Sequence, residues 1–207
     1  GEQEKSQSTI DEMAYMQPAL FAIEYALAKL WEAWGIRPDV VMGHSLGEYV
    51  AACLAGVFSF ADGIKLTATR GRLMATTAAG AMVAVESDEA TVGQAVAPFA
   101  TQVSVGVINS DQNVVISGDA QAIESVLAQL PGVKATRLKI TCASHSPLMQ
   151  PILDEFAATA QEVTFARPQI PFVSNVTGSV EDELITTPAY WRQHLVATVR
   201  FADGVRS

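Results

Sequence analysis

The sequence predicts an α/β protein: a core with a parallel sheet, interrupted by a compact insertion that has strands and helices of its own. Three observations carry that expectation. The apolar run Val40-Val41-Met42 stops at Gly43-His44-Ser45-Leu46-Gly47 and passes into a helix-competent segment, which reads as strand, sharp turn and helix. Between Gly80 and Ile140, strand and helix patterns follow one another in the order β-α-β-β-α-β. Finally, 207 residues with 49% hydrophobic and only 17% charged content are enough for a full core and lack the signature of disorder.

Composition also bounds the partners. A net charge of −9 with no basic cluster argues against a nucleic-acid surface. Cys53 and Cys142 are too few for a disulfide framework and have no metal-ligand spacing, so buried free thiols in a reducing compartment are expected, with no bound metal. No apolar run reaches the roughly 20 residues that cross a bilayer, and the polar start Gly1-Glu2-Gln3-Glu4-Lys5 lacks signal-peptide form. A cytoplasmic protein without a membrane partner is expected.

Taken in order, Thr9-Ile10-Asp11-Glu12 has the form of a capping box opening a short helix. Gln17-Pro18 then starts a longer helix, with proline at its first position, ended by Gly35. Its apolar residues Leu20, Ile23, Leu27, Leu30, Trp31 and Trp34 fall at helical spacing and are expected to fill core. Pro38 releases the chain into strand 39–42, and helix 46–55 stops at Gly56. Ser59-Phe60-Ala61-Asp62 repeats the capping-box form and opens a helix bearing Arg70 and Arg72, which lie two apart and so on different faces. Within the insertion, strands are expected at 81–85, 103–108, 113–117 and 134–140, and helices at 88–99 and 120–130. The small polar loop 141–149 leads into a helix to about Val163, followed by a strand at 171–175 and a helix at 188–196.

Gly43-x-Ser45-x-Gly47 is the pattern of a nucleophile elbow, in which glycines permit a turn tight enough to project the serine hydroxyl above a sheet. The Leu46 backbone N–H, at a helix start, would face an oxyanion formed by attack of Ser45. A serine nucleophile needs a base, and the chain has three histidines. His44 adjoins the serine and points elsewhere on a turn, while His194 lies in the amphipathic stretch 190–194, expected near the surface. His145 is the better candidate. The bland readings are a glycine-rich structural turn at Ser45 and a histidine that only satisfies loop backbone groups. No acid between Ser45 and His145 stands out as a triad member, because Asp111, Asp119 and Glu124 fall inside the insertion.

Together, Gln17-Pro18-Ala19, Gly43-His44-Ser45-Leu46-Gly47-Glu48-Tyr49, Thr69-Arg70-Gly71-Arg72-Leu73-Met74, Gly80-Ala81-Met82 and Ala143-Ser144-His145-Ser146-Pro147-Leu148-Met149 resemble the malonyl-CoA:acyl-carrier-protein transacylases and the acyltransferase domains of modular polyketide and fatty acid synthases. The resemblance implies an α/β-hydrolase-like core from 9–79 and 141–207, discontinuous and incomplete, with a ferredoxin-like (βαββαβ) subdomain at 80–140. It implies Ser45 as acyl acceptor, His145 as base and Arg70 as the grip on the free carboxylate of a malonyl-type group. Gln17, Asn109, His44 and Ser144 correspond to substrate-binding positions, and a backbone carbonyl at about Arg200 would orient the histidine, which accounts for the missing acid.

The same resemblance implies a CoA thioester as donor, no bound cofactor, and as acceptor the phosphopantetheine of an acyl carrier protein, with neighbouring domains such as a ketosynthase. Nothing upstream of Gln17 resembles the family's Gly-Gln-Gly-Ser-Gln loop, so the chain reads as truncated at both ends. Cys142-Ala143-Ser144-His145 resembles a Tyr-Ala-Ser-His form associated with methylmalonyl units, whereas Leu46 after the nucleophile is more typical of malonyl enzymes. A serine esterase or thioesterase would share the Ser-His pair without needing Arg70. A non-enzymatic docking or scaffold domain would need neither.

Overall fold

The computed structural model describes residues 10–140 and 142–207. The chain clusters into two compact units, one comprising the residues up to Thr76 with Asp154–Ser174 and Val180–Arg192, the other Thr77–Leu153, Asn175–Ser179 and Gln193–Ser207.

In the first unit, α1 (Met13–Ala33) is followed by β1 (Val41–Met42), α2 (Gly47–Leu54) and α3 (Phe60–Met74). The expected capping box at Thr9 lies outside the described residues. Pro18 does not open the long helix; it sits inside it, one turn from the start, where its missing N–H forfeits only a single bond of the ladder. Ser59 does cap α3, its hydroxyl accepting from the Asp62 N–H at 3.1 Å.

The helices α1 and α3 meet through a face of α3 that carries small residues at helical spacing, Gly63, Thr67 and Gly71. A Cβ at Gly71 would come within 2.3 Å of the Met13 carbonyl oxygen, and one at Gly63 within 2.3 Å of the Phe21 ring. This contact buries Gln17 and Phe21. The expected core stripe of α1 is therefore on the wrong side: Leu20, Ile23, Leu27, Leu30, Trp31 and Trp34 are all exposed, Trp34 at 64%. Helical spacing identified a stripe, but the small-residue face of α3 selects the neighbouring one.

Beyond α1 to α3, the unit contains β6 (Phe172–Val173), β7 (Val180–Glu181) and all but the end residues of α6 (Leu153–Gln161) and α7 (Pro188–His194), since Leu153, Gln193 and His194 belong to the second unit. The strand β1 pairs parallel with β6, which pairs antiparallel with β7. Trp191 is fully buried, its ring 4.6 Å from that of Tyr49 and 5.3 Å from that of Phe58, and its indole N–H donates to the Ile185 carbonyl.

In the second unit, β2 (Ala81–Val85), α4 (Glu89–Val96), β3 (Val103–Ser110), β4 (Asn113–Gly118), α5 (Ala120–Leu127) and β5 (Ala135–Arg137) form an antiparallel sheet of order β3-β4-β2-β5. Period-two alternation explains its two faces. Val83, Val85, Val114 and Ile116 pack with Val92, Val96, Ile123 and Val126 of the helices, while Met82, Val107 and Val115 pack with Val199 and Phe201. Because of that second layer, the unit is larger than the expected 80–140 insertion and takes in residues 142–153 and 193–207, including α8 (Phe201–Arg206). The β3–β4 register slips between Val105 and Val107, leaving Gly106 as a bulge. At that bulge the Val199 N–H donates to the Gly106 carbonyl, and the Ile108 N–H to the Val199 carbonyl.

The helix contact gives a test with an internal control. Gly71→Ala should lower the unfolding free energy by about 1–3 kcal/mol, the scale of overpacking. Gly93→Ala, inside α4 with nothing within 4 Å of its Cβ, should raise it by about 0.4–1 kcal/mol. Urea denaturation measures both; equal effects would contradict the packing account.

Candidate active site

The strand β1 ends in an elbow whose strain is visible at Ser45, which holds φ at 51°, a left-handed conformation unusual for a serine. The two elbow glycines are not equivalent. A Cβ at Gly43 would lie 2.0 Å from the Gly47 backbone carbonyl carbon, so the first turn of α2 crosses directly over Gly43; at Gly47 the nearest atom is a Glu24 carboxylate oxygen at 3.7 Å. Leu46 occupies the N-cap of α2, where the helix dipole presents its positive end. Below it, buried Glu48 accepts a hydrogen bond from the Tyr190 hydroxyl, which also pairs with Ser174 at 2.6 Å. Burial raises the Tyr190 phenol pKa, and the adjacent Glu48 carboxylate raises it further, so the hydroxyl stays protonated as a donor. The first turn after the nucleophile is thereby fixed to α7 and the end of β6.

Arg70 projects from α3 and is 3% exposed. Its guanidinium donates through Nη2 to the Ser45 hydroxyl at 3.1 Å and through Nη1 to the Gln17 side-chain carbonyl at 2.7 Å. The Tyr49 ring lies 5.7 Å from its central carbon. Burial lifts the Tyr49 phenol well above its usual range, with the Arg70 charge opposing, so a neutral ring faces the cation. Gln17 in turn donates to the Met74 sulfur at 3.3 Å and the Met13 sulfur at 3.6 Å. Gln17 thus links the Arg70 guanidinium to the Met74 and Met13 sulfurs. Arg72 turns outward, as its spacing from Arg70 predicts, and pairs with Glu155 at the surface.

In the second unit, His145 also has a left-handed backbone, φ 58°, and is 1% exposed. Its N–H donates to the Leu195 carbonyl at 3.1 Å, and its own carbonyl accepts from the Ser104 hydroxyl. The ring Nδ1 lies 2.9 Å from the Ala197 carbonyl oxygen. A carbonyl can only accept, so Nδ1 carries a proton, and in the neutral ring Nε2 then carries the lone pair, the tautomer a general base needs. The orienting carbonyl belongs to Ala197 and not to Arg200, the expected position, because Arg200 caps α8 and its carbonyl is taken by the Gly204 N–H. Ala197 is held by its neighbours: the Thr198 hydroxyl donates to the Val105 carbonyl at 2.7 Å, and Val199 joins the β3 bulge.

Ser144 contributes its carbonyl, which accepts from Ser117 on β4. The Asn109 side chain donates to that of Asn113 across the β3–β4 hairpin. His44 is exposed and borders an apolar groove lined by Trp31, Ile36, Pro38 and Val40. His194, expected near the surface, is 1% exposed, and its ring packs edge-on against that of His145 with centroids 5.9 Å apart. Local pattern could not show this, because the burial comes from the fold-back of residues 194–199 onto β3. Cys53 is a buried thiol whose pKa burial pushes up to about 11, which makes it inert rather than nucleophilic. No cluster of metal-ligating side chains occurs among the described residues.

A family model described as the acyl transferase domain matches residues 3–207. The mycoketide-CoA synthase of Mycobacterium tuberculosis is 45% identical over 204 residues, which are 97% of this chain and 5% of that protein. Among solved structures, the acyltransferase domain from the second module of the salinomycin polyketide synthase superposes with a TM-score of 0.93 at 44% identity, covering 97% of this chain and 48% of that one. The malonyl CoA-acyl carrier protein transacylase from Coxiella burnetii gives a TM-score of 0.87 at 33% identity over 94% of this chain and 65% of its own. The chain therefore spans a small part of the synthase and about half to two thirds of the solved chains.

The unequal elbow glycines lead to an expected outcome. Gly43→Ala should cost several kcal/mol of stability, because backbone rather than a flexible side chain must move. Gly47→Ala should stay within about 1 kcal/mol of the parent. Thermal denaturation with near-ultraviolet circular dichroism of the Tyr49–Trp191 cluster distinguishes the two.

Proposed function

The chain belongs to the acyl transferase domain family, and on that premise we propose that it transfers a malonyl-type group from a CoA thioester to the phosphopantetheine thiol of an acyl carrier protein through an ester on Ser45. The observation that carries this reading is the buried Arg70 guanidinium on the Ser45 hydroxyl, braced by Gln17. A cation held beside a nucleophile suits an acyl group that carries a free carboxylate. The name of the Coxiella burnetii enzyme, a malonyl transacylase, agrees with that chemistry.

The reaction runs in two halves. His145 Nε2 takes the Ser45 proton as Oγ attacks the thioester carbonyl; the tetrahedral intermediate collapses, the carbon–sulfur bond breaks, and the proton passes to the departing CoA sulfur. The Leu46 N–H, with the α2 dipole behind it, stabilises the oxyanion in both halves. The carrier thiol then gives its proton to His145, attacks the ester, and releases Ser45 with its proton restored. Arg70 exchanges its contact with the resting serine hydroxyl for the substrate carboxylate. Gln17 serves as a bracket for Arg70, and Asn109, Ser144 and His44 shape the surroundings of the acyl and pantetheine arms. The Ala197 carbonyl fixes the imidazole tautomer without adding a charge.

We read the core as α/β-hydrolase-like, supported by the parallel β1–β6 pair that carries the elbow, and the sheet of order β3-β4-β2-β5 with its two helices as ferredoxin-like. A ketosynthase is the natural neighbour in a synthase of the kind to which the mycobacterial relative belongs. A serine esterase would share the elbow and the histidine but has no use for a buried arginine on the serine.

Arg70 provides the test. Charge-assisted pairing with a carboxylate contributes about 1.5–3 kcal/mol, or roughly 10-fold to 150-fold in preference. Arg70→Ala should lower transfer from malonyl-CoA by that factor relative to acetyl-CoA, while Arg72→Ala should leave the ratio within about threefold. Equal slowing of both substrates by Arg70→Ala would favour the esterase reading.

A further inference from the structure

We propose that His194 is a positioning residue for His145, a role that rests on the reading of His145 as the general base. Three contacts from one short segment converge on that histidine. The Leu195 carbonyl takes its backbone N–H, the Ala197 carbonyl takes its Nδ1–H, and the His194 ring stands edge-on to its ring at an interplanar angle of 80°. His145, His194 and Leu195 are each 1% exposed, so the imidazole pair sits in a packed interior.

The Leu195 carbonyl holds only the His145 backbone, and the Ala197 carbonyl holds the ring at the single atom Nδ1, which leaves the ring plane able to swing about the bond to Cβ. A hydrogen bond to a carbonyl has a broad angular optimum, whereas delivery of the Nε2 lone pair to a serine hydroxyl does not. A second ring packed edge-on removes that freedom, because rotation of one plane drives its edge into the other. The left-handed backbone of His145 adds to the need for an external brace, since a residue in that conformation persists only where its surroundings enforce it. The segment that supplies the brace is itself anchored: Thr198 and Val199 bond to Val105, Gly106 and Ile108 at the β3 bulge. His194 therefore acts on the reaction through the orientation of His145 and touches neither the acyl group nor the thiol.

The test is a double-mutant cycle on malonyl loading of Ser45, with the thermal midpoint of every variant recorded. His194→Ala should reduce kcat by about 10-fold to 100-fold, the scale for a small misplacement of a reacting group, and leave KM within about twofold. His194→Phe, which keeps a flat ring, should stay within about threefold of the parent. His194→Leu, which fills the volume without a plane, should fall with alanine, and it replaces alanine in the cycle should that variant fail to fold. In a His145→Ala background, removal of His194 should change the residual rate by less than about twofold, since nothing remains to be oriented. A loss that multiplies in both backgrounds, or equal rates for the Leu and Phe variants, would overturn the positioning role while leaving His145 as base. A parent-like rate for His145→Ala alone would remove the base assignment and the proposal with it.

Discussion

The arrangement on which the candidate site depends is a guanidinium held against a serine hydroxyl inside a nearly dry contact between two helices. Arg70 can occupy that place because Gly63 and Gly71 let α3 approach α1 closely enough for Gln17 to reach Nη1. Were either glycine larger, the helices would separate, and a long cationic side chain would relax toward solvent, as Arg72 does two residues away. A charge buried on this scale costs stability unless its donors are satisfied, so the site is maintained by packing that a hydrophobic core would not need. That expense is consistent with a role for the charge in binding an anionic group.

In the proposed reaction the base, His145, is held by a backbone carbonyl rather than by a carboxylate. In a serine triad, an acid both sets the tautomer of the histidine and stabilises the imidazolium; a peptide carbonyl performs the first task and contributes only a dipole to the second. The proposed transfer from a thioester asks less of the base than amide cleavage does, because a thiolate leaves far more readily than an amine. The chain invests in orientation instead. Ser104, Leu195, Ala197 and the His194 ring all hold one loop residue whose backbone is left-handed.

Much of this was legible in the sequence wherever the signal was local. The elbow is written in Gly43, Ser45 and Gly47, the cap of α3 in Ser59, and the strands of the second unit in alternation that the two faces of its sheet obey. What the sequence did not reveal is tertiary choice. Helical spacing marked Leu20, Ile23, Leu27 and Trp31 as a core stripe, yet the small-residue face of α3 draws in Gln17 and Phe21 instead. A resemblance located the orienting carbonyl near Arg200 but missed by three residues, because only the fold-back onto β3 decides which carbonyl faces the ring. His194 looked like a surface residue of an amphipathic stretch for the same reason.

The proposed reaction stands on Ser45 accepting a carboxyacyl group. Its most direct measurement is peptide mass spectrometry after brief incubation with malonyl-CoA and acid quenching. One malonyl adduct is expected, confined to the peptide containing Ser45 and absent from Ser45→Ala. Undiminished labelling of the Ser45→Ala protein, or an adduct on Cys53 or Cys142, would contradict it.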